Sequence, residues 1–185
     1  MSTVAKMGFR PFNAVDLVTL AVFAALYRAL WYVWHALGFL FPFNQVLSDL
    51  FYCLCGVAAI VIVRKFGAAT LFAVAAQIIN LFLQGEMLVV ALLLCTPGIL
   101  ADIYIYFRLK AGKDPFASLK DMFIAGSLIG GWWSLINWAF IFPVLFLTEL
   151  SVTITIVVAV ACLLGGMLGA WTGFKLGDRI KGLIA

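Results

Sequence analysis

The sequence predicts an all-α integral membrane protein, a bundle of six transmembrane helices with both termini in the cytoplasm. Three observations predict this fold. Of the 185 residues, 66% are hydrophobic and only 11% are charged, whereas a soluble domain carries about 25% charged residues. The apolar residues fall in runs of roughly 20, the length that crosses a bilayer as a helix. The basic residues gather between alternate runs, as they do in the cytoplasmic loops of membrane proteins.

Turn residues and charges divide the chain into six helices within one transmembrane domain, residues 1–185. The helices are predicted at about 14–41, 45–63, 67–84, 86–108, 118–147 and 150–176. Pro97-Gly98 predicts a kink in the fourth helix and Pro143 a bend in the fifth, because proline interrupts the hydrogen bonds of a helix. Helices are expected throughout, since a spanning segment must satisfy its own backbone polar groups.

The distribution of basic residues predicts the orientation. Of the twelve Lys and Arg residues, all but Arg28 lie in segments predicted on the same side of the membrane as the N-terminus. The three opposite turns, around residues 41–45, 84–86 and 148–150, contain none. Because basic loops remain in the cytoplasm, the pattern predicts an even number of spans and a multi-pass protein of the cell membrane.

Several classes of protein are excluded by what the sequence lacks. No G-x-x-x-x-G-K-[ST] motif is present, so the chain is not itself an ATPase. With His35 as the single histidine, no hydrolase constellation is credible. The four cysteines lie within apolar runs and form no C-x-x-C motif. We therefore expect neither an enzyme, nor a metal or cofactor site, nor a nucleic-acid partner.

The side opposite the basic residues carries acids, amides and tryptophans instead. Because an unpaired polar group in hydrocarbon is costly, these side chains predict a pocket for a planar, polar or cationic small molecule. The alternatives are an aromatic belt for the tryptophans and contacts between helices for the amides. The candidate substrate-binding residues are Asp49, Gln77, Asn80, Gln84, Glu86, Asp102, Trp132, Trp133, Asn137 and Glu149.

Two of the ionisable residues lie deeper in the membrane, Arg28 in the first helix and Asp102 in the fourth. Charges at such depth indicate function or pairing. The two depths differ by about 10 Å at a rise of 1.5 Å per residue, so an ion pair would require Arg28 to reach inward. Pairing is the expectation for Arg28, whereas for Asp102 pairing and a substrate role stay open.

Two stripes of small residues predict close helix packing. Glycines recur every four residues along the sixth helix, at Gly165, Gly169, Gly173 and Gly177. Alanines do so along the first, at Ala21, Ala25 and Ala29. Either stripe is compatible with packing inside the bundle or against another membrane subunit.

Several short segments together resemble one family. They are the A-x-x-x-A face of the first helix, Val63-Arg-Lys-Phe-Gly-Ala-Ala, Gln84-Gly85, Gly98-Ile-Leu-Ala-Asp102 and Leu163-Leu-Gly-Gly-Met-Leu-Gly169. Combined with six short helices, they resemble the S components, or substrate-binding membrane subunits, of energy-coupling factor (ECF) vitamin transporters, in particular the YkoE type. In this family Asp102 matches an acidic position, whereas Asn80 stands where the family carries an acid.

The resemblance implies a subunit that captures thiamine or its hydroxymethylpyrimidine precursor outside the cell. It would deliver this ligand inward together with a transmembrane T component and two cytoplasmic ATPases. Ala21, Ala25 and Ala29 would then form the face that meets the T component. Two alternatives remain, a stand-alone channel or secondary carrier, and a non-transport subunit of a membrane assembly.

Overall fold

A computed structural model describes residues 8–36, 43–85, 87–145 and 151–184. The regular elements of these segments are helices, with no strand among them. The first three helices are α1 (Ala14–Ala36), α2 (Phe43–Val63) and α3 (Ala68–Gln84). They are followed by α4 (Leu88–Leu93), α5 (Thr96–Lys110), a 3₁₀ turn (Pro115–Ala117) and α6 (Leu119–Ile136). A π-helix, Asn137–Leu145, continues α6, and the last element is α7 (Val152–Ile184).

Within the described segments, four stretches are long and apolar enough to cross a membrane. They are Ala14–Ala36, Gln45–Val63, Leu88–Lys110 and Thr155–Leu183. A shorter apolar helix, Ala68–Gln84, accompanies them. The prediction of an all-helical membrane protein is thus confirmed, while six spans and cytoplasmic termini stay predictions.

The fourth predicted helix is broken where a kink was expected. Helix α4 ends at Leu93, and α5 begins at Thr96 with Pro97 in its first turn, where the missing N–H of proline costs no hydrogen bond. A Cβ on Gly98 would come within 2.6 Å of the Ala69 carbonyl oxygen. The break therefore lies directly against the backbone of α3, and only glycine permits this approach.

The glycine stripe of α7 packs inside the bundle. Its four glycines lie against successive backbone carbonyl groups of α2, those of Val46, Leu50, Leu54 and Ala58, and a Cβ at each would come within 2.9 Å of the carbonyl oxygen. Helix α2 is consequently enclosed, and its residues from Val57 to Val61 are all buried. The stripe is used for contact between α2 and α7.

The bundle has two chemically different ends. At one, which we call the basic end, Arg64 pairs with Asp114, Lys65 with Asp16, and Arg108 with Asp121. Helices α1, α3 and α6 begin at the basic end, whereas α2 ends there. At the opposite end, the C-terminal halves of α1, α3 and α6 therefore meet the N-terminal half of α2. The candidate site lies there.

Candidate binding cavity

A cavity of about 120 Å³ opens among α1, α2, α3 and α6 at the end opposite the basic end. Its walls come from Tyr27, Arg28 and Trp31 of α1, Gln45 and Ser48 of α2, Asn80 and Gln84 of α3, Leu94, and Trp133 and Asn137 around the end of α6. All of these except Leu94 carry a polar atom. Within a membrane bundle, such a concentration of polar side chains around one cavity indicates a binding site.

Helical spacing brings these side chains together. Asn80 and Gln84 are one turn apart on α3, and Trp133 and Asn137 are one turn apart where α6 becomes a π-helix. Asn137 Nδ2 donates to the Trp133 carbonyl oxygen at 2.9 Å, which holds the amide beside the indole. On the opposite wall, the hydroxyl groups of Tyr27 and Ser48 are hydrogen-bonded at 3.3 Å.

The guanidinium of Arg28 is held in the cavity wall by α3. Its Nε donates to the Ala76 carbonyl oxygen at 3.1 Å, and its Nη2 donates to Gln77 Oε1 at 3.2 Å. The residue is 4% exposed. The ion pairs of the described residues all lie at the basic end, and none includes Arg28.

Asp102 lies elsewhere and has a different partner set. Its carboxylate accepts hydrogen bonds from the backbone N–H groups of Gly67, Ala69 and Thr70 and from the Thr70 hydroxyl. These groups form the N-terminus of α3, whereas Arg28 binds the same helix about two turns further on. Arg28 and Asp102 therefore do not form the ion pair that was one expectation.

The other predicted residues divide into three groups. Asn80, Gln84, Trp133 and Asn137 line the cavity, and Gln77 contacts it through Arg28. Asp49 is buried outside it, where Ser134 Oγ donates to its carboxylate at 3.0 Å, and Asp102 is also outside. Glu86 and Glu149 lie outside the described residues.

Trp132 and Trp133 lie on different faces of α6. Trp133 is 5% exposed and lines the cavity, whereas Trp132 is 37% exposed. Trp132 Nε1 donates to Thr96 Oγ1 at 2.9 Å. Trp133 Nε1 is buried and has no hydrogen-bond partner among the described residues. The residue that lines the cavity thus carries a buried donor for which the described part of the chain provides no acceptor.

Tyr27, Trp31, Gln45 and Ser48 were not among the predicted site residues. Their spacing in the sequence could have indicated that they belong together. Tyr27 and Trp31 are four residues apart on α1, and Gln45 and Ser48 are three apart on α2. Such pairs share one helix face. Without knowledge of which helices are neighbours, that face could not be assigned to the cavity.

The alanine stripe of α1 faces away from the bundle. Ala21, Ala25 and Ala29 are exposed, and Val18, Val22 and Leu26 beside them are more than 40% exposed. The stripe therefore lies outside the packed interior of the described residues, in contrast to the glycines of α7. Its small side chains leave a surface on α1 that another helix could approach closely.

Comparison with known proteins identifies a family. A family model described as "ABC-type cobalt transport system, permease component" matches residues 14–125, which is more than half of the chain. The matched segment extends from the start of α1 into α6 and includes Arg28, Gln77, Asn80 and Asp102. No curated protein and no solved structure matches the chain significantly.

Proposed function

The chain belongs to the permease-component family of ABC-type cobalt transport systems, and we propose that within an importer of this class it is the S component, the subunit that captures the ligand. Membership of the family makes it a membrane component of an ABC-type transporter and a multi-pass protein of the cell membrane. The more specific role is supported by one observation above all, the polar cavity at one end of the bundle.

The proposed ligand is a vitamin or vitamin precursor of the thiamine type. Trp31 and Trp133 offer ring surfaces to a planar heteroaromatic molecule, and Gln45, Asn80, Gln84 and Asn137 offer amide groups for its polar edge. A cavity of about 120 Å³ has room for a small organic molecule, because a single water molecule needs only about 10–15 Å³ of such space.

An organic ligand is favoured over a cobalt ion, although the family description names cobalt. Arg28 contributes a permanent positive charge to the cavity wall, and a like charge opposes the binding of a divalent cation. Among the described residues there is also no cluster of three or more His, Cys, Asp and Glu side chains. The amides and tryptophans of the cavity are groups that recognise organic rings.

The proposed partners are a transmembrane T component and two cytoplasmic ATPases. The exposed alanines Ala21, Ala25 and Ala29 support a helix contact with the T component, because small residues four apart let two helices approach closely in lipid. In the proposed orientation the basic end is cytoplasmic and the cavity faces outward. The subunit has no enzymatic activity of its own, and the ATPases drive transport.

Two measurements test the proposal. Purified protein is titrated with hydroxymethylpyrimidine, thiamine, riboflavin and biotin by calorimetry, and submicromolar binding of the pyrimidine is expected. Gentle extraction from the membrane is expected to recover two ATPases and one further membrane protein. Absence of binding to every vitamin, together with absence of the ATPases, would contradict the proposal. Uptake by this chain alone in liposomes would indicate a secondary carrier instead.

A further inference from the structure

Among the described residues, no acid neutralises the charge of Arg28. A guanidinium has five N–H donors and stays charged in proteins, yet the structure shows hydrogen bonds from only two of its nitrogens, both to neutral acceptors on α3. A buried charge is normally paired, because its desolvation is otherwise uncompensated. In the described part of the chain no carboxylate lies within ion-pair distance of Arg28.

The other described groups around the cavity reinforce this imbalance. None of the described residues that line the cavity carries a carboxylate. Trp133 adds a buried Nε1–H donor that has no partner in the described structure. The amide and hydroxyl groups of the wall can accept as well as donate hydrogen bonds, so the one-sided feature of the described wall is its positive charge. A ligand with an anionic acceptor group complements that charge.

The position of Arg28 is also fixed before any ligand arrives. Ala76 and Gln77 hold two of its nitrogens, and its Cζ lies 5.0 Å from the centre of the Tyr27 ring. A guanidinium that is already oriented loses little conformational freedom when it binds an oxyanion. Such a group recognises planar carboxylate and phosphate oxygens through paired hydrogen bonds.

We propose that Arg28 recognises the ligand and that the ligand presents an anionic oxygen group, a carboxylate or a phosphate, attached to a small heteroaromatic ring. The inference rests on the proposed function, since it takes this cavity as the ligand site, and it narrows the ligand class. Within the thiamine type, the phosphate ester of hydroxymethylpyrimidine has the required chemistry, whereas cationic thiamine does not.

Matched pairs of probes test the inference. Nicotinate and nicotinamide share one ring and differ by a carboxylate against an amide. Hydroxymethylpyrimidine monophosphate and hydroxymethylpyrimidine differ by the phosphate. Each is titrated into purified wild-type protein by calorimetry. At least one anionic probe is expected to bind roughly 10- to 100-fold more tightly than its neutral partner, the range for a hydrogen bond to a charged group. The pair that responds distinguishes carboxylate from phosphate.

Variants test whether Arg28 causes the preference for the anionic probe. Arg28→Gln is expected to abolish the preference for the anionic probe, and Arg28→Lys to retain part of it. Arg10→Gln is the matched control, because Arg10 is exposed at the basic end, and it is expected to bind like wild type. Thermal unfolding of each variant establishes that it is folded. The wild-type comparison requires no variant and remains decisive if Arg28→Gln does not fold.

The possible failures are distinguishable. If neutral probes bind as tightly as anionic ones, or if folded Arg28→Gln keeps the preference, the inference is wrong while the proposed function stands. If these probes and the four vitamins all fail to bind, the cavity is not a vitamin site, and the proposed function falls together with the inference.

Discussion

The carboxylate of Asp102 on α5 binds Thr70 on α3 twice, accepting from its hydroxyl at 2.6 Å and from its backbone N–H at 2.8 Å. The first N–H groups of any helix lack partners within the helix. The residue at the N-cap position of α3 is Gly67, which has no side chain to supply one. Asp102 therefore caps α3 from a neighbouring helix and fastens α5 to it.

Replacing Asp102 by alanine is expected to lower the free energy of unfolding by about 1.5–3 kcal/mol, the range for hydrogen bonds to a charged group. Asp102→Asn keeps an acceptor and is expected to lose less. Thermal unfolding in detergent measures both. Because Asp102 lies away from the cavity, the ligand Kd of the folded protein should not change, and weaker binding at unaltered stability would contradict the capping role.

The adjacent tryptophans are expected to respond differently to the same substitution. Trp133→Phe removes the buried indole N–H that has no partner among the described residues, and a ligand that accepts from it should bind several-fold to about tenfold more weakly. Trp132→Phe removes only the hydrogen bond to Thr96 outside the cavity and should leave the Kd unchanged. Calorimetric titration compares the two, and an equal loss in both would remove Trp133 from the site.

Gly169→Ala is expected to disrupt the contact between α7 and α2. The added Cβ would lie 2.2 Å from the Leu50 carbonyl oxygen, which forces the helices apart, and overpacking of this kind costs about 1–3 kcal/mol. Gly182→Ala is the control, because its added Cβ would meet no described atom within 4 Å apart from the backbone next to it in its own helix. Thermal unfolding should show a lower midpoint for Gly169→Ala alone, and equal midpoints would contradict the close packing.

Ala25→Trp is expected to prevent assembly with the T component while leaving ligand binding intact. The alanine is exposed in the middle of the α1 stripe, and an indole there would separate two helices that need close contact. Val160→Trp, at an exposed position on α7, is the control. Co-purification of a co-expressed T component measures assembly, and recovery equal to that of wild type would exclude this face.

The proposed orientation is tested with single cysteines. Gln84 and Lys113 are both exposed, near the cavity and in the loop after α5 respectively. With Cys95 replaced by serine, the remaining native cysteines are buried. Gln84→Cys should react with a membrane-impermeant maleimide in intact cells, and Lys113→Cys only after permeabilisation. The reverse pattern would invert the topology.

The sequence by itself determined the class of protein and the gathering of basic residues at one end of the bundle. Composition and the length of apolar runs can be read from the sequence without knowing which helices are neighbours. The bilayer sets both, because each span must be apolar and long enough to cross it. The break at Pro97-Gly98 could also be located in advance, since proline and glycine act on their own backbone. Asn80 and Gln84 could be named as candidates for a similar reason, because their spacing of four residues places them on one helix face whatever surrounds it.

Only the tertiary structure decided what those faces touch. Gly169 and Ala25 belong to stripes that look equivalent in sequence, yet one lies against α2 and the other is exposed. Arg28 and Asp102 likewise proved to bind separate parts of α3 rather than each other. Helical period specifies which residues share a face, but the neighbour of that face depends on the packing of distant segments. The cavity, built from four helices, is a consequence of that packing.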